Sequence, residues 1–299
     1  MKEINDLVRK YEIKPNGYIK KGNAVIVTTK DNKYIVKHKS NTNIYNYLNS
    51  RSFRYYPKIL VDDDNYLITE YIDSVDTPEE QKMIDMIDLV SLLHNKTTFY
   101  KEIDEDDYKK IYEDISGNIE YLDSYYSDLI TIIESKVYMS PSELLLATNI
   151  NKFYKAIYYA KEKIDEWLKI IEQKKKQRFV VLHNNLRIEH FIRNELPFLI
   201  SWDKSKIDIP IFDLYKLYKR YFFNFDFESL LKEYEKKYPL LKEEKLLLLI
   251  LIALPDKIEF TKSEYENTKI IDKEIDYLIK TEKLIKEYSK TEKNYEYNK

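Results

Sequence analysis

The sequence predicts an α+β protein, with a small β-rich part followed by a larger, mainly helical one. Three observations carry that reading. Short β-rich runs around polar turns occupy residues 1–73. Helical periods with N-terminal capping signals occupy most of residues 74–290. One short β-like insert, residues 179–203, interrupts the helices.

In the first part, residues 24–29 (AVIVTT) and 34–38 (YIVKH) flank the polar turn Lys30-Asp31-Asn32-Lys33 and predict a hairpin. Residues 41–50 fit a helix with Ile44, Tyr47 and Leu48 on one face, stopped before Pro57. Residues 58–61 and 66–71 predict two more strands around Asp62-Asp63-Asp64-Asn65. Thr77-Pro78-Glu79-Glu80 reads as an N-cap, a first-turn proline and acids behind it, opening a helix. Residues 103–137 look helical, with Gly117 as a candidate break. Ser140-Pro141-Ser142-Glu143 is a capping box, and the helix it starts is expected to reach Lys175 with one break. Apolar runs at 179–182, 191–192 and 198–200 make the insert. Helical pattern resumes over 211–223, 227–238, 242–254 and 263–288, and residues 291–299 read as a frayed polar tail.

Composition removes several kinds of chemistry. With no Cys among 299 residues, disulfides, thiolate nucleophiles and Cys-ligated metals are excluded. There are 3 glycines, Gly17, Gly22 and Gly117, where average usage predicts about twenty. The chain therefore has no Walker loop, no G-x-G-x-x-G and no G-x-S-x-G elbow. The 50 Lys+Arg balance 52 Asp+Glu, which gives no general attraction to nucleic acid. The run Lys174-Lys175-Lys176 with Arg178 is basic, but it sits at a helix end, where cations suit the dipole. Tyr numbers 29, an excess that fits AT-rich coding rather than tyrosine chemistry. The longest apolar run, residues 246–254, is half of what a membrane span needs and predicts a buried helix. The charged start, MKEINDLVRKYEIKPN, has no signal-peptide pattern and points to a cytoplasmic protein without a membrane span.

Six short motifs follow one another in a recognisable order. Tyr34-Ile35-Val36-Lys37 puts a lysine in a hairpin strand, like the phosphate-pairing lysine of V-A-I-K. Leu67-Ile68-Thr69-Glu70-Tyr71-Ile72 looks like a hinge that meets an adenine edge with its backbone. Leu89-Val90-Ser91-Leu92-Leu93-His94 looks like an LA-x-LH helix. The segment from Val181 to Ile192 (VLHNNLRIEHFI) has the register of the loop H-G-D-x-x-x-x-N between two strands. Phe198-Leu199-Ile200-Ser201-Trp202-Asp203 resembles a metal-binding IDWD strand, and Ile209-Pro210-Ile211-Phe212-Asp213-Leu214-Tyr215 the P-x-x-DL turn after it. The sequence thus resembles the aminoglycoside phosphotransferase/choline kinase-like superfamily over roughly residues 15–255. The low glycine content and the segment DLYKLY resemble the spore coat kinase-like branch of Firmicutes, which would make a spore-associated location an expectation too. The resemblance implies a bilobal protein-kinase-like fold, with Lys37, Glu70, Tyr71 and Ile72 facing a nucleotide and His183 and Asp213 shaping the loop.

The departures from that family concern charge. The family's catalytic aspartate is Asn185, whose amide is no general base. The loop asparagine that ligates magnesium is His190, and imidazole suits that hard ion poorly. The aspartate that bridges metal and phosphates is Ser201. Residues 41–53 hold no Glu to pair with Lys37. Asp203 is left as a lone candidate cation ligand.

The leading expectation is a pseudokinase: a catalytically inactive scaffold or regulator working through a protein partner, with no nucleic-acid role. Two alternatives stay open. One is a divergent ATP-dependent small-molecule phosphotransferase that uses Asp203 for Mg; the other is a nucleotide-binding sensor without turnover. ATP and Mg enter only under these two. Plainer readings stand beside the sharp ones. Lys37 is also readable as a solvent-facing strand lysine, His183 and His190 as packed core residues rather than a metal pair, His94 as a helix-end cap, and Asp213 as a structural buried acid.

Overall fold

A computed structural model describes residues 2–39 and 43–296. In chain order these form α1 (Lys2–Lys10), β1 (Gly17–Lys21), β2 (Ala24–Thr28), β3 (Lys33–His38), α2 (Asn43–Ser50), β4 (Ile59–Asp62), β5 (Tyr66–Glu70), α3 (Glu79–Thr97) and β6 (Phe99–Glu102). There follow α4 (Glu105–Glu134), α5 (Pro141–Ile171), β7 (Lys176–Leu182), β8 (Phe191–Arg193), β9 (Pro197–Leu199), β10 (Lys206–Asp208), α6 (Ile211–Tyr221), α7 (Phe227–Lys237), α8 (Lys242–Ala253) and α9 (Glu264–Glu296). They divide into two compact units, residues 1–98 with 180–208, and residues 99–179 with 209–299. The insert, which the sequence groups with the helices, falls largely within the first unit.

The first unit is built on an antiparallel sheet of order β1-β2-β3-β5-β4. β2 alternates buried and half-buried residues, as a strand covered on one face should. Val25, Val27, Val36 and Ile68 turn to that covered face, where Leu7 and Val8 of α1 complete the cluster. α1 was not expected from the sequence. It is pinned by Tyr66, whose hydroxyl donates to Glu3 at 2.8 Å. β1 was also unexpected. It reverses into β2 through Gly22, whose φ of 58° is the left-handed value that a two-residue hairpin turn requires.

α2 starts at Asn43, so the first residues of the expected helix, 41 and 42, lie outside the described residues. The capping reading of Thr77 fails. The Thr77 hydroxyl donates to the Val75 carbonyl, Pro78 takes the cap position, and the helix has no side-chain cap. His94 is fully buried in the last turns of α3. Thr97 ties α3 to β7, its hydroxyl accepting from the Val181 amide at 3.1 Å.

In the second unit neither expected break occurs. Gly117 sits inside an unbroken α4, in open space. Its cost is about 1 kcal/mol relative to Ala, which a 30-residue packed helix absorbs. α5 runs without interruption from the Ser140 capping box to Ile171. Its buried residues, Leu146, Ile150, Phe153, Ile157, Ala160, Ile164, Trp167 and Ile171, alternate spacings of four and three and form one continuous seam. α4, α8 and α9 pack around α5. α8 carries the apolar run and is buried over most of its surface. α9 continues to Glu296, past the point where the sequence suggests a tail. Among the described residues no helix is long and apolar enough to cross a membrane.

The tyrosines of this unit have structural work. Tyr126 donates to the Asp256 carbonyl at 2.6 Å and Tyr125 to that of Ile258 at 2.5 Å. Tyr277 donates to the Ile252 carbonyl. These phenols satisfy backbone acceptors at and beyond the end of α8, where a helix leaves its last carbonyls unpaired.

Candidate functional site

The charged and polar groups singled out by the sequence gather within the first unit, Asp213 excepted. Strand alternation builds the site first. Val36 faces the apolar cluster, so its neighbour Lys37 projects from the opposite face of the sheet. Its ammonium lies 3.3 Å from Ser201 Oγ and 3.9 Å from Asp203 Oδ2. No carboxylate of α2 could take that place, since Asn43–Ser50 contains none.

Ser201 is held in a left-handed conformation, φ 65° and ψ 54°, which costs a non-glycine residue roughly 1–2 kcal/mol. Trp202, beside it, anchors the turn. Its indole is buried, donates to the Leu199 carbonyl at 2.8 Å and meets Phe53 edge-on at 6.0 Å. Asn184 is also left-handed, φ 59°, and its side-chain amide donates to the Lys204 carbonyl at 2.7 Å. Asn tolerates that region better than most residues. The loop after β7 and the turn after β9 are thereby stitched together.

Both histidines belong to this stitching. His183 is fully buried and its Nε2–H donates to the Ile200 carbonyl at 2.9 Å. Its ring meets Trp202 edge-on at 4.8 Å. His190 ends a 3₁₀ turn, and its Nδ1–H donates to the Asn185 carbonyl at 2.8 Å. Burial holds the His190 imidazole below its usual pKa, despite that bond, with Arg187 and Lys37 adding to the effect. A neutral ring in this tautomer presents Nε2 as its acceptor. The two rings stand 6.3 Å apart.

Sequence reasoning missed Tyr45. It lies on α2, packs against Tyr56 at 5.0 Å, and has its phenol pKa raised by burial first and by the charge of Asp203 second. Nothing in the sequence marks it out among 29 tyrosines.

The hinge segment is partly committed to the sheet. The Glu70 amide donates to the Lys58 carbonyl at 3.0 Å, and the Glu70 carboxylate accepts from the Lys58 amide at 2.8 Å. The Tyr71 amide donates to the Lys33 carbonyl at 3.1 Å. Ile72 follows, half-buried. Asp213 lies in the second unit, buried in the first turn of α6, where a carboxylate suits the helix dipole.

The residues do not fit a magnesium ion. Such an ion wants near-octahedral oxygen, normally from one or two carboxylates with substrate phosphates. Here Asp203 already faces the Lys37 ammonium, and Ser201, Asn185 and His190 offer a hydroxyl, an amide and a neutral imidazole. Among the described residues no three His, Cys, Asp or Glu side chains form a group able to hold a metal.

No family model matches the chain, and no curated protein matches it. Solved structures do. An aminoglycoside phosphotransferase from Alicyclobacillus acidocaldarius superposes with a TM-score of 0.70 at 11% identity, covering 94% of both chains. A spectinomycin phosphotransferase in its AMP-bound complex gives 0.51 at 13% identity, covering 96% of this chain and 94% of that one. The same enzyme with ADP and spectinomycin gives 0.50 at 12% identity, covering 94% and 98%. At such identities the likeness concerns the backbone. The chain has the α+β, protein-kinase-like fold of the aminoglycoside phosphotransferases.

Proposed function

We propose that the chain is a catalytically inactive kinase-like protein, a scaffold or regulator that acts by binding a protein partner. One observation carries this reading. The Lys37 ammonium rests on a neutral hydroxyl and a single half-exposed carboxylate. Phosphoryl transfer relies on positioned metal and fixed charge rather than on covalent chemistry. A carboxylate opposed by a lysine supplies little of the charge needed to seat a divalent ion, and Asn185 cannot take the acceptor hydroxyl's proton as a carboxylate there would. Asn185, His190 and Ser201 occupy the three positions where the fold's enzymes would need those groups, and two of the three side chains have internal partners instead.

Thermal unfolding with ATP and MgCl2, alongside ATP consumption over a panel of amino alcohols, aminoglycosides and sugars, tests this. The expected result is no magnesium-dependent rise in Tm and no consumption above a protein-free control. Magnesium-dependent turnover that disappears in Asp203→Ala would overturn the reading in favour of a divergent phosphotransferase. A magnesium-dependent shift that is weakened in Lys37→Ala, without turnover, would replace it with a nucleotide sensor.

A further inference from the structure

The second unit contains a cavity of about 480 Å³ between α5, α8 and α9, well away in sequence from every residue of the site above. It is a half-open recess, and pockets for small ligands run from about 300 to 1,000 Å³. Two small residues open it, Ala156 on α5 and Ala253 at the end of α8. Leu278, Ile279 and Ile285 of α9 supply the apolar wall. The Thr281 hydroxyl, also on this wall, is spent on the Tyr218 hydroxyl at 2.7 Å. With Tyr159 of α5 also lining the recess, the wall offers an occupant mainly apolar contact.

The rim is cationic. Lys152, Lys155 and Lys286 stand there with one acid, Glu282, so three ammonium groups face one carboxylate. Glu282 accepts from Lys286 at 2.6 Å, and that bond, with smaller contributions from Lys155 and Lys152, holds its carboxyl below the usual range. Lys152 also reaches the Asn149 side-chain carbonyl at 2.7 Å. After the one internal pairing, two positive charges are left over at the mouth of an apolar recess. Long lysine side chains lay their methylenes along such a wall and keep the ammonium in water, which places charge at the entrance and hydrocarbon inside. The complementary molecule has an aliphatic body and a negatively charged head. The volume is ample for one alkyl chain.

We infer that this cavity is a binding site for a single-chain fatty acid, its alkyl chain between α5 and α9 and its carboxylate at Lys155 and Lys152. The site is independent of any nucleotide chemistry in the first unit, and its test does not involve ATP.

Isothermal titration of the full chain with laurate, against dodecanol and dodecylamine of equal chain length, tests the inference. Laurate is expected to bind at least roughly tenfold more tightly than dodecanol, and dodecylamine more weakly than either. Lys155→Glu, an exposed substitution that leaves the helix seam intact, should weaken laurate roughly tenfold while leaving dodecanol unchanged. Ala156→Trp fills the recess and should abolish binding of both, with circular dichroism reporting the fold. Equal affinity for all three ligands, or laurate binding that neither variant alters, overturns the inference. Failure of laurate while an acidic amphipathic peptide binds at Lys155 overturns it too, as does a dimer in sedimentation that Ala156→Trp dissociates.

Discussion

Two ion pairs, one in each unit, show how differently the same chemistry is used. Arg178 and Glu244 are 9% and 3% exposed, and the guanidinium Nε lies 2.6 Å from a carboxylate oxygen. The same arginine donates to the Pro239 carbonyl at 2.6 Å and lies over the Tyr238 ring at 4.2 Å, while Glu244 also accepts from the Leu241 amide. Lys37 and Asp203 are 21% and 47% exposed and stand 3.9 Å apart. The first pair is fully enclosed, so each member depends on the other to justify its desolvation. The second is open to water, and its attraction is screened. One pair holds structure together; the other is a loosely held group of charges at a site.

The comparison breaks most readily at the enclosed pair. Glu244→Ala leaves the Arg178 guanidinium buried without its counter-charge, and the expected loss is about 4 kcal/mol in urea denaturation. A loss below about 1 kcal/mol would mean that water reaches the arginine.

A middle case sharpens it. Glu274 is buried on α9 and accepts from the Asp256 amide at 2.7 Å. Burial pushes its pKa up from 4.5 to about 7, against the opposing influence of Lys219, Lys273 and that bond, with Asp256 adding to the rise. Tyr126 also faces it. Because the folded state holds this proton more tightly than the unfolded chain, the contribution is fully present below pH 4.5 and is lost as pH rises through about 7. The difference in stability between the parent and Glu274→Gln should therefore change by about 3 kcal/mol between pH 4 and pH 8. A constant difference would place Glu274 in contact with solvent.

The smallest effect belongs to the open pair. Lys37→Ala should change stability by less than about 1 kcal/mol, read from the same denaturation curves. A loss of several kcal/mol would make Lys37 a structural residue and remove it from the site.

Much of the fold was legible because its signals are local. The hairpin around residues 29–32 shows as alternation on both sides of a polar turn, and the start of α5 shows as a capping box. The insert was legible from three apolar runs, of which β8 and β9 pair with each other. What escaped depends on distant partners. α1 is polar apart from a few positions, and only the sheet beneath Leu7 and Val8 makes it a covering helix. β6 is four residues long and exists as a strand because β7 lies beside it. The break expected in α4 did not occur because tertiary packing outweighs the propensity of one glycine, and α5 holds neither a glycine nor a proline past its first turn that would interrupt it.

The candidate site divides in the same way. The replacements at Asn185, His190 and Ser201 are readable as letters, but the burial of Tyr45 within reach of the Asp203 charge and the internal bond of His190 are geometric. The basic run at 174–178 changes meaning once Lys174 is seen 3.2 Å from Glu243 and Arg178 beside Glu244. At least two of its cations serve the helical unit itself.

The seam along α5 has a consequence for how this chain can vary. Eight contact residues are phased by spacings of four and three, so inserting or deleting one residue would swing everything downstream by about 100° around the helix axis. Ile164, Trp167 and Ile171 would then turn to water together. Length is the conserved quantity to look for in distant copies of this helix: they should differ freely in letters and hardly at all in the number of residues between Ser140 and the strand that follows.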